Sequence, residues 1–204
     1  LVAVVPQVLV VNPRKLPGDF KSFMEAVRKS PGQYNYGSAG GGTSHHLAGE
    51  LFKIQSKTFI THIPYRGAGP ALADLIAGNV DMMFDGLGSS AQHIKSGRVK
   101  ALMVSGAKRN PAFPDVPCAA EVGLPDYTVT TWYGLWAPRG TPADVQARVL
   151  EEVRRVAATD EIKAAWLTNG AEFPNITGPA FGAFVNAEIR RWALVVKASG
   201  AKID

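Results

Sequence analysis

The sequence holds one cysteine, Cys118. A single thiol excludes an intramolecular disulfide and a multi-cysteine zinc site, and it leaves the redox compartment open. No apolar run approaches the roughly 20 residues that cross a bilayer. The most apolar stretch, "LVAVVPQVLVV", is interrupted by Pro6, no basic segment precedes it, and no small-residue cleavage site follows. It reads as a buried strand and not as a signal h-region. Concentrated charge is also lacking. The formal net charge is +5, but the basic pairs Lys108-Arg109, Arg154-Arg155 and Arg190-Arg191 are scattered along the chain. A nucleic-acid surface gathers such charge into a patch with stacking aromatics, so nucleic acid is not an expected partner.

What remains is a globular composition, 46% apolar and 19% charged over 204 residues, enough for one large domain or two small lobes. Strand-like and helix-like runs alternate. "QVLVVNP" (7–13) is β-rich, and "GDFKSFMEAVRKSPG" follows with Phe20, Phe23, Met24 and Val27 at helical spacing. "YNYGS", "TFITHIPY", "VDMMFD" and "VKALMVSG" read as further strands, each followed by a helical or turn-rich segment. Ser89 or Ser90 is the expected cap of the helix after "VDMMFD". Repeated βα units of this kind predict a parallel, doubly wound sheet.

After Gly106 four prolines mark a connecting segment, for which one short helix is expected. "TVTTWYGLWAP" is another strand. "TPAD" then predicts a helix with Thr141 as N-cap, Pro142 at the first helical position and Asp144 as a third-position acid. Its apolar stripe is Val145, Val149, Leu150, Val153 and Val156. A last helix near 179–199 carries Phe181, Phe184, Val185, Ile189, Trp192 and Val196 on one face.

The chemistry-bearing stretch is "YNYGSAGGGTSHH", residues 34–46. It lies at the carboxyl end of a strand and enters a helix, where open α/β sheets place ligands. Helix N-termini leave N–H groups unpaired and partly positive, and glycines let an anion approach that backbone. Ser38, Thr43 and Ser44 add hydroxyl donors. Such a loop is a cradle for a carboxylate or phosphate without a fixed cation. The Lys-Ser/Thr pair of a P-loop is missing, and His45 stands where the third glycine of G-x-G-x-x-G would be. A ligand-free tight turn is the plain alternative.

"YRGAGP" and "FDGLGSS" supply two more glycine-rich loops to the same sheet edge. Asp85, ending an apolar strand, is either a turn-stabilising residue or a ligand contact. Adjacent His45 and His46 diverge by about 100° on a helix, and H-x-x-x-E lacks a third ligand, so no metal is expected. His46 is expected to hydrogen-bond near the loop and His45 to be exposed. Ser38 lacks the G-x-S-x-G elbow of a hydrolase, and His62 with Asp85 forms no required pair, so no catalytic residue is assigned.

"NYGSAGGGTSHHLAGELF", "HIPYRGAGPALADLIAGNVDMMFDGL", "HIKSGRVKALMVSGAKRNPAFPDVPCAAEVGLPDY" and "TTWYGLWAPRGTP" together resemble the substrate-binding receptors of tripartite tricarboxylate transporters, the Bug family. The resemblance runs from Gln7 to Asp204. It implies a periplasmic, two-lobed Venus-flytrap receptor of type II periplasmic-binding-protein-like α/β fold, with the first lobe incomplete in this chain. Residues 1–12 would be a crossing strand and remnant of lobe 1, 13–127 the ligand-binding lobe 2, and 128–204 the return strand and C-terminal helices of lobe 1. The ligand would be a small mono-, di- or tricarboxylate, passed to membrane permease subunits without cofactor or metal. Ser38, Ala39, Gly42 and Thr43 map onto the carboxylate loop, with Asp85 as a neighbouring ligand-side contact. A signal peptide and most of lobe 1 are expected upstream. A ligand-sensing module feeding a signalling partner and an α/β hydrolytic enzyme are the alternative functions.

Overall fold

The computed structural model describes residues 1–201. Six strands and seven helices follow one another: β1 (Ala3–Val11), α1 (Phe20–Lys29), β2 (Asn35–Ser38), α2 (Ser44–Ser56), β3 (Thr61–Pro64), α3 (Ala68–Ala77), β4 (Met82–Gly86), α4 (Leu87–Lys95), β5 (Lys100–Val104), β6 (Thr130–Tyr133), α5 (Ala143–Ala157), α6 (Asp160–Asn169) and α7 (Gly178–Ser199).

The main sheet runs β3-β2-β4-β1-β5, and β6 pairs with the other half of β1. β2 is parallel to β3 and β4, as the βα repeats require, but β1 lies antiparallel between β4 and β5. The expected all-parallel sheet is therefore mixed. The first strand precedes the βα units, so it enters the sheet without a crossover and is free to run in the opposite direction. β1 also begins earlier than its β-rich core suggests. Ala3–Pro6 pairs with β6, while Gln7–Val11 pairs within the main sheet.

Side-chain alternation explains why these strands are almost continuously apolar. Leu9, Val11, Met82, Phe84 and Tyr36 of the strands face one layer with Phe23 of α1 and Phe52 of α2. Val8, Val10 and Met83 face the other, against Leu72, Leu75, Leu87 and Ala91 of α3 and α4. With both faces covered, a strand has no solvent side to make polar. Asn12 ends β1 and donates through Nδ2 to the carbonyls of Leu75 (2.9 Å) and Ile76 (3.2 Å), closing the last turn of α3.

Three other local expectations are corrected. α4 starts at Leu87 with Gly86 as its N-cap and no side-chain cap, because the hydroxyls of Ser89 and Ser90 both turn back to Asp85. α5 starts at Ala143, with Pro142 in the cap position, because Thr141 donates its hydroxyl to the Pro138 carbonyl instead of capping the helix. Residues 107–127 form turns and no helix. The stripe on α5 is present but uncovered: Val145, Val149, Leu150 and Val156 are exposed, as are Ile189 and Val196 on α7. Val145, Val149 and Leu150 border an apolar groove of about 430 Å³ that is also lined by Leu1, Trp136, Val153, Phe173 and Phe181.

Parallel β2, β3 and β4 point their carboxyl ends to one edge. Antiparallel β1 brings its Gln7 to the same edge, opposite Gly86.

Candidate functional site

At that edge β2 passes into the loop 39–42 and then α2. The loop turns through two left-handed glycines, Gly40 (φ +125°) and Gly42 (φ +75°). This backbone conformation is strained for any residue with a Cβ, which explains the run of glycines. Gly41 and Gly42 are exposed and no atom would meet a Cβ built on either, while Ala39 and Thr43 are partly covered.

The hydroxyls expected to meet a ligand are occupied in shaping the loop. Ser38 is fully buried; its Oγ accepts from the Gly40 amide (3.0 Å) and lies 2.6 Å from Nε2 of His62. Thr43 caps α2: its Oγ1 donates to the Gly40 carbonyl (2.7 Å) and accepts from the His46 amide (3.5 Å). His46 reaches back along the helix, and its Nδ1 accepts from the Gly42 amide (3.1 Å). The amides of Gly41, Ser44 and His45 have no acceptor among the described residues. They lie at the start of a 13-residue helix, where the backbone carries partial positive charge.

The ground under the loop is a stack of rings. His46 and His62 lie parallel with centroids 3.9 Å apart, and Tyr36 stacks on the far side of His62 at 4.9 Å. Tyr36 donates its hydroxyl to Glu50 Oε1 (2.7 Å), which Lys53 also engages (2.8 Å). Burial pushes His62 down to about 4, with the neighbouring His46 and Lys53 acting the same way and Glu50 opposing. Burial likewise lowers His46, with Glu50 opposing and Lys53 adding. Both rings are neutral near pH 7. The His46–Glu50 separation of 3.8 Å spans one helical turn, and Glu50 is already held by Tyr36 and Lys53.

Asp85 sits behind this rim. Its side chain is fully buried; Oδ2 accepts from Ser89 (2.7 Å) and Ser90 (2.6 Å), and Oδ1 lies 2.9 Å from His45 Nε2. These contacts tie α2 to α4 across β4 through one carboxylate. His45 is accordingly drawn inward, with only 15% of its side chain exposed, and is not the surface residue expected from helical position. His62 pairs with Ser38, not with Asp85.

Sequence reasoning missed two residues. Gln7 is buried with its amide nitrogen toward the carbonyls of Phe84 (2.8 Å) and Asp85 (3.2 Å) and its oxygen accepting from Thr131 Oγ1 (3.0 Å). Thr131, on β6, lies 3.4 Å from Ser44 Oγ. Gln7, Ser44 and Thr131 thus join the two ends of the β1/β6 crossing to the start of α2. The available signal was a lone glutamine inside "VVPQVLVV", a polar side chain that a buried strand tolerates only when fully bonded.

The arrangement is a neutral surface of free amides at a helix start, with buried side chains fixing its shape. The tripartite tricarboxylate transporter family receptor matches residues 1–201. The chain belongs to this family. A protein of Pseudomonas sp. strain P51, named for the tcbD-tcbE intergenic region, is 38% identical over 96% of the chain and 59% of its own length. BugT of Bordetella pertussis is 31% identical over 100% of the chain and 62% of its own length. The chain therefore spans about 60% of these curated relatives. Among solved structures, R. palustris Rpa4515 with adipate superposes with a TM-score of 0.89 at 33% identity, covering 98% of this chain and 67% of that one. MatC from Rhodopseudomonas palustris with bound malate gives 0.85 at 32% identity, covering 95% and 67%. The fold is that of periplasmic solute-binding receptors of the TctC/Bug type. Among the described residues, no helix is long and apolar enough to cross a membrane.

Proposed function

We propose that this chain is the ligand-holding part of an extracytoplasmic receptor that binds a small organic carboxylate and delivers it to the permease subunits of a tripartite tricarboxylate-type transporter. The observation that carries the reading is the set of partnerless amides at Gly41, Ser44 and His45 on a glycine loop whose own hydroxyls are already used. A carboxylate seated there accepts several N–H bonds and meets the positive end of α2; each hydrogen bond to a charged group contributes about 1.5–3 kcal/mol. Among the described residues no lysine or arginine is bonded to this loop, which suits an anion held reversibly. The two solved relatives carrying adipate and malate bind acids of this class.

In this reading Ser38, Thr43 and His46 shape the loop, Ala39 and Gly42 form its wall, and Asp85 fixes α2 against β4. Residues 13–127 make the ligand lobe. The β1/β6 crossing at Gln7 and Thr131 is the hinge, and the uncovered apolar face of α5 and α7 belongs against the part of the first lobe present in the longer relatives. A periplasmic location follows from the same reading.

The test is thermal unfolding of the chain against mono-, di-, tri- and aromatic carboxylates. A concentration-dependent rise in midpoint for one class identifies a ligand of the native state. No rise with any of them, in a protein extended to the length of its relatives, refutes the receptor reading.

A further inference from the structure

We propose that His46 is a positioning residue of the carboxylate loop: its neutral Nδ1 holds the Gly42 amide, and protonation there opens the loop and releases the acid. This rests on the receptor reading for its ligand arm, and on the loop geometry alone for its structural arm.

The Gly42 amide points at a ring nitrogen and not at a carbonyl (3.1 Å). A neutral imidazole has one donor nitrogen and one acceptor, so accepting from Gly42 fixes the tautomer with its proton on Nε2, on the side of Glu50. An imidazolium has no acceptor left. Protonation of Nδ1 therefore replaces an attractive contact with two N–H groups facing each other. The consequence reaches the site because Gly42 is the left-handed residue that leads the chain into Thr43 and the free amides of α2. A second imidazole backs the first: His62 lies flat against His46 and touches Ser38, which holds the Gly40 amide. Two stacked rings thus support both left-handed glycines of one loop.

The titratable surroundings favour neutrality at ordinary pH. Glu50 and Lys53 on α2 are paired with each other, and Tyr36 on β2 is bonded to Glu50. On the other elements packed against α2, Asp85 of β4 is held by His45, Ser89 and Ser90, and Glu188 of α7 is held by Arg191 and Trp192. His62 of β3 is itself depressed to about 4. A charge on one ring is therefore opposed by burial and stands face to face with the other ring. Acid, not alkali, is the direction that opens the loop.

The experiment compares the full chain with His46→Asn and His46→Leu by amide hydrogen exchange and imidazole ¹⁵N shifts from pH 7.5 downward. An Asn carbonyl occupies the place of Nδ1 and accepts without titrating; Leu accepts nothing. The Gly42 amide is expected to be protected in the parent and His46→Asn proteins at pH 7.5, by about tenfold relative to His46→Leu. Protection in the parent is lost as the His46 ring protonates and persists in His46→Asn. Malate and adipate affinities measured on the same samples are expected to fall with acid about tenfold more in the parent than in His46→Asn, a comparison that cancels the titration of the acids themselves. Gly42 protection indifferent to His46 protonation overturns the proposal, and this holds even if His46→Leu fails to fold. Equal acid sensitivity of affinity in the parent and His46→Asn overturns its ligand arm. If neither acid binds at any pH while Gly42 behaves as described, the positioning role stands and the receptor reading is what fails for these acids.

Discussion

Gly49 lies in the middle of α2, and helix propensity alone predicts that alanine there stabilises by about 1 kcal/mol. The packing predicts the opposite sign. A Cβ on Gly49 would sit 2.5 Å from Cζ and 3.0 Å from Cδ2 of Tyr36, well inside the roughly 3.5–4 Å of a normal carbon contact. Tyr36 has nowhere to retreat. It is fully buried, its hydroxyl is tied to Glu50, its ring stacks on His62, and Phe84 meets it edge-on at 5.8 Å. Overpacking of this kind costs about 1–3 kcal/mol, and a ring pinned on three sides belongs toward the upper end. After the helix gain is offset, Gly49→Ala is expected to destabilise by about 1–2 kcal/mol, a fall of roughly 3–6 °C in Tm for a chain of this size. Urea unfolding followed by circular dichroism measures it. The control is Gly182→Ala, at an exposed position of α7 where a Cβ meets nothing, expected to gain about 0.5–1 kcal/mol. A neutral or stabilised Gly49→Ala would mean that α2 does not rest on Tyr36 as described, and the ring stack beneath the loop would lose its basis.

Thr43→Val removes the cap of α2 and the tie to Gly40, so stability should fall by about 1 kcal/mol in urea titration, with carboxylate affinity falling in calorimetry as the loop loosens. Lost affinity with unchanged stability would assign the hydroxyl to the ligand instead. Tyr127→Phe deletes a buried hydroxyl that donates to the Ala48 carbonyl (3.0 Å), and should cost about 1 kcal/mol by the same assay; no change would show that the bond contributes nothing. The chain should also lose stability in acid. His62 titrates near 4 in the folded state against about 6.5 unfolded, so below pH 6.5 the unfolded chain binds the extra proton. Stability present above pH 6.5 is lost as pH falls toward 4. The half-buried ring limits the loss to about 2 kcal/mol. His62→Gln should flatten that part of the profile, and an unaltered slope would remove His62 from it.

The element order was legible because the core strands are short, apolar and flanked by glycine and proline, and because α1 and α3 carry clear stop signals at Pro31-Gly32 and Gly78. Strand direction was not legible. β1 shows the same apolar alternation whether it runs parallel or antiparallel, since both of its faces are buried either way. The loop itself was recognisable from its glycines and hydroxyls, but the division of labour within it was not. Ser38 and Thr43 look like ligand donors in sequence, and the structure adds that both also bond the loop's own Gly40, at 3.0 and 2.7 Å, a contact that no local pattern announces. Asp85 drew attention for its position, and its three donors are only visible once α2 and α4 are brought to β4. His45 illustrates the same limit: helical phase places it outward, and a buried carboxylate pulls it in. The crossing at Gln7 and Thr131 joins residues 124 positions apart, beyond the reach of local pattern.

The central claim is that a carboxylate sits on the free amides at the start of α2. Backbone ¹H–¹⁵N spectra of the chain titrated with malate and adipate test it most directly. The account predicts saturable shifts centred on Gly41, Ser44 and His45, with smaller changes at Gly42. Saturable shifts confined to the apolar groove of α5 and α7, or none at the loop with any acid of the series, would contradict it.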